Sequence, residues 1–279
     1  MQKIIVTGGL GFIGSNLIGN LLDKNYYVIN IDKVSYSSNF YNTKKFNTIK
    51  NYKFIKCNLN NKNKLLKILY KYKPLGIFNL AAETHVDRSI DEPKEFIENN
   101  ILGTFNLLEV FRIFTNKFKS TKLIHISTDE VYGDLNINDS AFGENTPYNP
   151  SSPYSASKAA SDHFVRAYHR TYGINMTITN CSNNYGPHQH NEKFIPTIIK
   201  SILTNSKIPI YGKGENIRDW LYVEDHVNAI DTIFHKGKLN ETYNIGGFNE
   251  WKNIDLIKVI IKVTDRLLGR EEGSSEKLI

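Results

Sequence analysis

Short apolar runs alternate with amphipathic stretches along the first half of the chain. Five apolar runs have the length of strands: residues 4–6, 27–31, 53–57, 76–80 and 122–127. Three stretches between them have helical periodicity: residues 12–24, 62–72 and 93–115. Strands that alternate with helices, without an internal repeat, favour a parallel sheet with helices on both faces. The pattern therefore predicts an α/β fold built on a doubly wound parallel sheet.

The alternation is less regular in the carboxyl-terminal part. A polar loop runs from Asn136 to Pro153, and a helix is predicted to begin near Tyr154. The later predicted elements are a strand at 174–181, a helix at 194–203, a short strand at 208–211, a helix at 224–235, a strand at 242–245 and a helix at 254–268. We expect residues 1–182 to form the sheet domain, and residues 183–279 to form a smaller lobe interleaved with it.

Composition excludes several classes of protein. With 279 residues, 40% hydrophobic and 23% charged, the chain is neither disordered nor fibrous in composition. No apolar run reaches membrane-spanning length and the first residues lack a signal-peptide pattern, so we expect a cytoplasmic protein without a membrane partner. The net charge of +7 comes from dispersed lysines without a nucleic-acid-binding motif, so no nucleic-acid partner is expected. Cys57 and Cys181 have neither disulfide-framework nor zinc-ligand spacing, and no metal site is predicted.

Three glycines, Gly8, Gly11 and Gly14, separate the first predicted strand from the first predicted helix. They permit a tight turn and close approach of the backbone to a pyrophosphate, which the free N–H groups of the helix end bind. The second strand ends in Asp32, 18 residues after Gly14, where an acid accepts hydrogen bonds from an adenosine ribose. The first domain is therefore predicted to be of the Rossmann type and to bind NAD rather than NADP.

The fifth predicted strand leads into Thr128, which is followed at once by Asp129 and Glu130. Ligands of open α/β sheets bind outside the carboxyl ends of the strands. Taken alone, a solvated turn is the commoner interpretation of an acid pair. In a cleft, however, repulsion between the two carboxylates raises one pKa and provides an acid and a base together. Because neighbouring strand residues face opposite ways, the strand must end before this pair.

Tyr154 and Lys158 lie four residues apart on a predicted helix and therefore share one of its faces. An ammonium beside a phenol favours the phenolate and lowers the phenol pKa, as required of a base that takes a hydroxyl proton near neutral pH. Asn100 lies inside the third helical stretch, where asparagine is a poor helix former, which indicates a specific role.

Together these features resemble the extended short-chain dehydrogenase/reductases that act on nucleotide sugars, over almost the whole chain. Four segments narrow the resemblance to the dTDP-glucose 4,6-dehydratase family: residues 81–89, 127–133, 183–187 and 218–225. The triplet Thr128, Asp129 and Glu130 is the discriminating mark, because epimerases of the superfamily share the Tyr and Lys but lack the acid pair.

The resemblance implies conversion of dTDP-glucose or UDP-glucose to a 4-keto-6-deoxy sugar, in deoxysugar or rhamnose synthesis, with NAD as the cofactor. Tyr154, assisted by Lys158, takes the proton of the 4-hydroxyl while Thr128 holds that group. Glu130 removes the proton on carbon 5, and Asp129 protonates the departing 6-hydroxyl. The implied cofactor-binding residues are Gly8, Gly11, Phe12, Ile13, Gly14, Asp32, Asn58, Leu59, Ala81, Ala82, Asn100, Tyr154 and Lys158. The implied substrate-binding residues are Thr84, Asn183, Lys193, Arg218 and Asn253, with Lys193 and Arg218 near the diphosphate.

Two departures from the family pattern accompany these expectations. Asn58 stands where relatives usually carry an acid that bonds the adenine, so the cofactor affinity is expected to shift while the chemistry is kept. Family members also continue beyond Ile279 with an arginine-containing segment, so we expect this chain to be truncated and to bind its substrate more weakly.

Other functions stay open from the sequence. On the same scaffold they are a nucleotide-sugar 4-epimerase or a decarboxylase, and outside enzymes a non-catalytic NAD-binding relative. The family further implies a homodimer, formed by the long helices that begin near Pro93 and Tyr154. His85, Asp87 and Arg88 are expected to have structural roles.

Overall fold

The computed structural model describes residues 1–135 and 139–279, so residues 136–138 of the predicted polar loop lie outside the described part of the chain. The described residues form two compact units. The first consists of Met1–Cys181 and Glu224–Ile245, and the second of Ser182–Val223 and Gly246–Ile279.

The elements follow one another in nearly the predicted order. The strands are β1 (Lys3–Thr7), β2 (Tyr27–Asp32), β3 (Tyr52–Lys56), β4 (Gly76–Asn79), β5 (Lys122–Thr128), β6 (Met176–Cys181), β7 (Asn183–Tyr185), β8 (Ile217–Tyr222), β9 (Thr242–Ile245) and β10 (Glu250–Lys252). The α-helices are α1 (Phe12–Asp23), α2 (Lys62–Tyr72), α3 (Val86–Asp91), α4 (Pro93–Phe96), α5 (Gly103–Thr115), α6 (Pro153–Tyr172), α7 (Phe194–Leu203), α8 (Val223–Lys236) and α9 (Asn253–Leu267). Among these described residues, no helix is both long and apolar enough to cross a membrane.

The sheet of the first unit has seven parallel strands in the order β3-β2-β1-β4-β5-β6-β9. Since β1 has β2 on one side and β4 on the other, the strand order reverses there, which is where such sheets bind ligands. Strand residues such as Ile5, Ile29 and Ile77 are fully buried, as expected of a sheet covered by helices on both faces. The predicted doubly wound α/β fold is confirmed.

Strand β9 corrects the predicted domain organisation. It pairs in parallel with β6, where Asn244 is the register partner of Asn180, and so forms the last strand of the main sheet. Residues 224–245 thus belong to the first unit rather than to the lobe of residues 183–279. The physical reason is that β6 would otherwise be an edge strand with unpaired N–H and C=O groups, which β9 satisfies.

The second unit contains a three-stranded sheet in the order β10-β8-β7 and the helices α7 and α9. The predicted strand at 208–211 is not formed. Instead, the Ile208 N–H donates to the Leu278 oxygen at 2.8 Å, and both side chains pack in an apolar cluster with Ile202 and Ile257. The apolar character of this segment therefore reflects burial rather than strand pairing.

The predicted helix over residues 93–115 is interrupted. After α4, residues Ile97–Leu102 form a π-helical stretch, and α5 continues from Gly103. Such stretches are rare and are found frequently at functional sites. Asn100 lies within this one and is buried.

Helix α6, which carries Tyr154 and Lys158, has well-defined ends. Ser152 and Ser155 form a capping box, and Pro153 occupies the first turn, where its missing N–H leaves no hydrogen bond unmade. At the other end, Gly173 adopts a left-handed conformation with φ of +67°. Tyr154 is therefore held in the first, capped turn.

Candidate active site

The predicted cofactor-binding residues of the first unit follow the ends of successive parallel strands. The glycine-rich turn follows β1, Asp32 ends β2, Asn58 follows β3, Ala81 follows β4, and Thr128 ends β5. Because the strands are parallel and adjacent, these residues lie along the same edge of the sheet.

The turn after β1 leaves no room for side chains at two positions. A Cβ at Gly8, whose φ is +70°, would approach the Ala81 nitrogen to 2.8 Å, and one at Gly14 would collide with the Gly8 oxygen. Helix α1 then starts after Gly11 without a side-chain cap, so the N–H groups of its first turn, including those of Phe12 and Ile13, have no helical partner. A narrow turn that leads into an uncapped helix end fits a pyrophosphate.

The Asp32 carboxylate is rigidly held at the end of β2. It accepts hydrogen bonds from the Leu10 N–H at 3.1 Å, the Val34 N–H at 2.8 Å and the Ser38 hydroxyl at 2.8 Å. A carboxylate has about four acceptor sites, so it can accept one further donor, such as a ribose hydroxyl. The residues present therefore fit an NAD cofactor.

The turn after β3 differs in character from that after β1. Asn58 is exposed and its side-chain oxygen accepts the Asn60 N–H at 2.9 Å, while Leu59 is buried. This turn provides a neutral amide and an apolar side chain, as the sequence predicts for the adenine region.

Asn100 is a clamp between three segments. Its side-chain oxygen accepts the Glu83 N–H at 2.8 Å, and its amide group donates to the Glu83 oxygen at 3.0 Å and to the Ser157 hydroxyl at 2.8 Å. Both amide hydrogens are thereby used within the protein. The π-helical stretch, the segment after β4 (with Ala82) and α6 are thus fixed to one another.

The acid pair lies outside the strand, as the sequence requires. Strand β5 ends at Thr128, and Asp129–Tyr132 form a short 3-10 helix whose first residues, Asp129 and Glu130, are half-buried. The Thr128 hydroxyl donates to Asp129 at 3.3 Å and accepts the Glu130 N–H at 3.3 Å. Both carboxylates are therefore adjacent to a hydroxyl that is itself buried.

Tyr154 adjoins this triplet. Its ring packs edge-on against Phe96, and the nearby Thr128 hydroxyl favours the ionised form of its phenol. Burial raises the pKa of Tyr154 well above its usual value, and the charge of Glu130 acts in the same direction. The prediction that Lys158 lowers the pKa of Tyr154 is therefore wrong, because the structure raises it.

Lys158 is one helical turn further along α6 and is also buried. Its ammonium donates to the Ile126 oxygen of β5 at 2.8 Å. Burial lowers the pKa of Lys158, while the charge of Asp162 opposes this effect. One hydrogen bond of the ammonium is therefore made to a main-chain oxygen of β5.

A buried polar network near Lys158 was not predicted from the sequence. It centres on Asp162 of α6 and His125 of β5, which are separated by 3.3 Å between Oδ1 and Nε2. Two sequence features could have indicated this network: a histidine within an apolar strand, and an acid four residues after Lys158. Each feature alone is more often structural.

Most of the predicted substrate-binding residues lie in the second unit. Asn183 is in β7 and Arg218 in β8, Lys193 immediately precedes α7, and Asn253 begins α9. The exposed Arg218 guanidinium donates to the Ile217 oxygen at 3.1 Å. The Asn253 N–H donates to the Asn216 oxygen at 2.9 Å, which joins α9 to the segment before β8.

Thr84, the remaining predicted substrate contact, lies in the first unit, in the segment between β4 and α3. In the same segment His85 caps α3, and the Arg88 guanidinium lies 3.8 Å from the centre of the Tyr36 ring. These contacts support structural roles for His85 and Arg88.

Comparison with known proteins agrees with this geometry. The family model described as GDP-mannose 4,6 dehydratase matches residues 5–279. A dTDP-glucose 4,6-dehydratase of Shigella flexneri is 47% identical over 291 aligned positions, which cover 99% of this chain and 81% of that protein.

Solved structures show the same likeness. A dTDP-glucose 4,6-dehydratase from Bacillus anthracis in complex with NAD is 42% identical, with a TM-score of 0.86 over 97% of this chain and 82% of that one. The enzyme of the same name from Streptomyces venezuelae, with NAD and thymidine diphosphate bound, is 37% identical, with a TM-score of 0.88 over the same shares. The chain therefore belongs to the dTDP-glucose 4,6-dehydratase family of the extended short-chain dehydrogenase/reductases.

Proposed function

We propose that this protein is an NAD-dependent nucleotide-sugar 4,6-dehydratase that converts dTDP-glucose to the 4-keto-6-deoxy sugar. The observation that carries the proposal is the position of Thr128, Asp129 and Glu130 at the end of β5, beside the buried phenol of Tyr154. A base for a hydroxyl proton and two carboxylates at one strand end are the groups that elimination of water requires. The relatives named dTDP-glucose 4,6-dehydratase support the same reaction.

The cofactor is held by the glycine-rich turn after β1 and by Asp32. NAD, when bound, supplies the hydride acceptor for carbon 4 and, once reduced, the hydride donor for carbon 6. The protein side chains then have three tasks: to remove the 4-hydroxyl proton, to remove the carbon 5 proton, and to protonate the leaving hydroxyl.

Tyr154 performs the first task. Its phenolate accepts the proton of the 4-hydroxyl, while the nearby Thr128 hydroxyl orients that group. Because burial and Glu130 oppose ionisation of Tyr154, the phenolate forms only while the ammonium of Lys158 stays charged.

The acid pair performs the other two tasks. The ketone at carbon 4 acidifies the proton on carbon 5, which Glu130 removes, and Asp129 transfers a proton to the 6-hydroxyl so that it leaves as water. Glu130 returns its proton to carbon 5 when hydride is added to carbon 6, which completes the 4-keto-6-deoxy product. Their adjacency on the 3-10 helix after β5 places the acid and the base within one turn.

We propose that the second unit binds the nucleotide through Lys193, Arg218, Asn183 and Asn253. An exposed guanidinium beside a β-strand suits bidentate binding of a diphosphate. The thymidine diphosphate bound to the relative from Streptomyces venezuelae supports dTDP over UDP.

We also propose a cytoplasmic homodimer. Several large apolar side chains on the helices that begin near Pro93 and Tyr154 are exposed: Ile97, Leu102, Ile113, Phe164 and Tyr172. A paired arrangement of these helices would bury them, and sedimentation of a monomer at micromolar concentration would contradict it.

The decisive experiment compares two acid-pair variants on dTDP-glucose. The variant Asp129→Asn with Glu130→Gln should lose formation of the alkali-absorbing 4-keto-6-deoxy product while NADH absorbance from oxidation at carbon 4 stays detectable. The control variant Asp91→Asn with Glu92→Gln removes an exposed acid pair at the end of α3 and should keep wild-type turnover.

Two outcomes would reject the proposal. A wild-type protein that yields a 4-epimer without the alkali-absorbing product would instead be an epimerase. A wild-type protein that binds NAD but turns over neither dTDP-glucose nor UDP-glucose would be a non-catalytic relative.

A further inference from the structure

A fully buried carboxylate lies one helical turn beyond Lys158. Tyr154, Lys158 and Asp162 follow one another at intervals of four residues on α6, so their side chains share one face of the helix. Asp162 has no solvent exposure, and Lys158 is 4% exposed. Burying a carboxylate costs free energy unless its charge is compensated by neighbouring groups.

The surroundings of Asp162 stabilise its ionised form. Its Oδ2 accepts hydrogen bonds from the Ser127 hydroxyl at 2.8 Å and the Tyr148 hydroxyl at 2.9 Å, and Arg166 donates to that same Tyr148 oxygen at 2.7 Å. Burial acts to raise the pKa of Asp162, but the neighbouring His125, the charge of Lys158 and the bond from Ser127 hold it below its usual value.

The tautomer of His125 follows from its other neighbour. The Thr7 hydroxyl donates to Asn79 Oδ1 at 2.7 Å, so the amide nitrogen of Asn79 faces His125 Nδ1, at 3.0 Å, as a donor. Nδ1 is therefore an acceptor, and the ring proton resides on Nε2, which points at Asp162. Burial and the charge of Lys158 lower the pKa of His125, so the ring is neutral and leaves the negative charge of Asp162 uncancelled.

Lys158 is a buried cation four residues before Asp162, on the same face of α6. The titratable groups around it are Tyr154 and Asp162 on α6, His125 on β5 and Cys181 on β6, and Asp129 and Glu130 face Tyr154 from the turn after β5. Burial raises the pKa of the Cys181 thiol to about 12, which leaves that group uncharged. The negative charge of Asp162 is the strongest of the effects that raise the pKa of Lys158 against the lowering by burial.

We propose that Asp162 is a positioning residue, whose buried negative charge keeps Lys158 a protonated ammonium directed at the Ile126 oxygen. In the proposed reaction this charged ammonium supports the phenolate of Tyr154, so the inference rests on the proposed function for its catalytic meaning. The effect of Asp162 on the charge of Lys158 does not depend on that function. Hydrogen bonds from Ser127 and Tyr148 fix the carboxylate at this position, and His125 Nε2 lies 3.3 Å from its other oxygen.

The test measures the titration of Lys158 directly. Protein labelled with 15N in the lysine side chains is titrated by NMR, and the Lys158 Nζ signal is assigned from its absence in Lys158→Met. We expect Lys158 to stay charged at pH 8 in the wild type, and its midpoint to fall by about 1 pH unit or more in Asp162→Asn, as for loss of an opposite charge that acts on a buried group.

Two further variants test whether the effect on Lys158 comes from the negative charge of Asp162. Asp162→Glu keeps the charge and should keep the midpoint near that of the wild type. Asp265→Asn removes a different buried carboxylate, which accepts bonds from the Ser275 N–H and hydroxyl in the second unit, and should leave Lys158 unchanged. An unchanged midpoint in Asp162→Asn overturns the proposal.

The wild-type protein provides a test should Asp162→Asn fail to fold. A midpoint for Lys158 at or below pH 7 would show a lysine without an effective counter-charge, and would also overturn the proposal. Neither titration uses the sugar substrate, so failure of dTDP-glucose turnover would reject the proposed function and leave this result standing. If both proposals hold, the alkaline limb of the turnover profile moves to lower pH in Asp162→Asn by the same amount as the Lys158 midpoint.

Discussion

The clamp formed by Asn100 predicts a large loss of stability from one side chain. Asn100→Ala removes its bonds to the main-chain N–H and oxygen of Glu83, which is only 3% exposed. Each buried group left without a partner costs about 1–3 kcal/mol, so the two together predict a loss of about 2–6 kcal/mol. The Ser157 hydroxyl keeps its bond to the Tyr154 oxygen at 2.7 Å and adds little to this sum.

The neighbouring residue provides a matched control. Asn99 is half-buried, accepts a bond from Lys33 and donates one to Glu95, both in contact with solvent. Asn99→Ala should therefore cost less than about 1 kcal/mol. Urea unfolding followed by circular dichroism measures both variants. If Asn100→Ala lowers the free energy of unfolding by less than about 1 kcal/mol, or if the two variants lower it equally, the hydrogen bonds of Asn100 do not stabilise the fold as argued.

Two further predictions concern the glycine-rich turn and pH. Gly14→Ala places a methyl group against the Gly8 oxygen and should abolish NAD binding in calorimetry, whereas Gly143→Ala meets open space and should bind as the wild type does; equal affinities would contradict the packing. Burial lowers the pKa of His226 from 6.5 to about 3, so below pH 6.5 the unfolded chain binds the extra proton and stability falls as pH falls. The loss from this group at about pH 5 is roughly 2 kcal/mol. His226→Gln should flatten the change in urea midpoint between about pH 7 and pH 5, while the exposed His163→Gln should not, and the same slope in both variants would contradict a buried neutral His226.

The sheet edge at which the predicted cofactor-binding residues lie could be predicted because its signals are local. The turn from Gly8 to Gly14, Asp32 at the end of β2 and Thr128 at the end of β5 each depend on the residues of a single strand and its turn. In a parallel sheet, strand ends meet at one edge, so local assignments suffice to bring these residues together.

The remaining features depend on partners distant in sequence. Residues 242–245 have the pattern of a strand, but nothing in that pattern states that β6 is its neighbour. Residues 208–211 are apolar because they pack beside Leu278, and they form no strand. The direction of the Tyr154 pKa could not be predicted because it depends on the burial of the phenol and on the charge of Glu130.

The pairing of β9 with β6 has a consequence for synthesis on the ribosome. The first six strands of the sheet are complete once Cys181 has emerged, but β9 begins only at Thr242, some 60 residues later. Throughout that interval the nascent sheet presents β6 as an open edge, rich in β-branched residues such as Thr177, Ile178 and Thr179. An open edge of this kind is the usual starting point for aggregation between chains. Yield in the cell should therefore depend on chaperone capacity during this interval, more than on the stability of the finished fold.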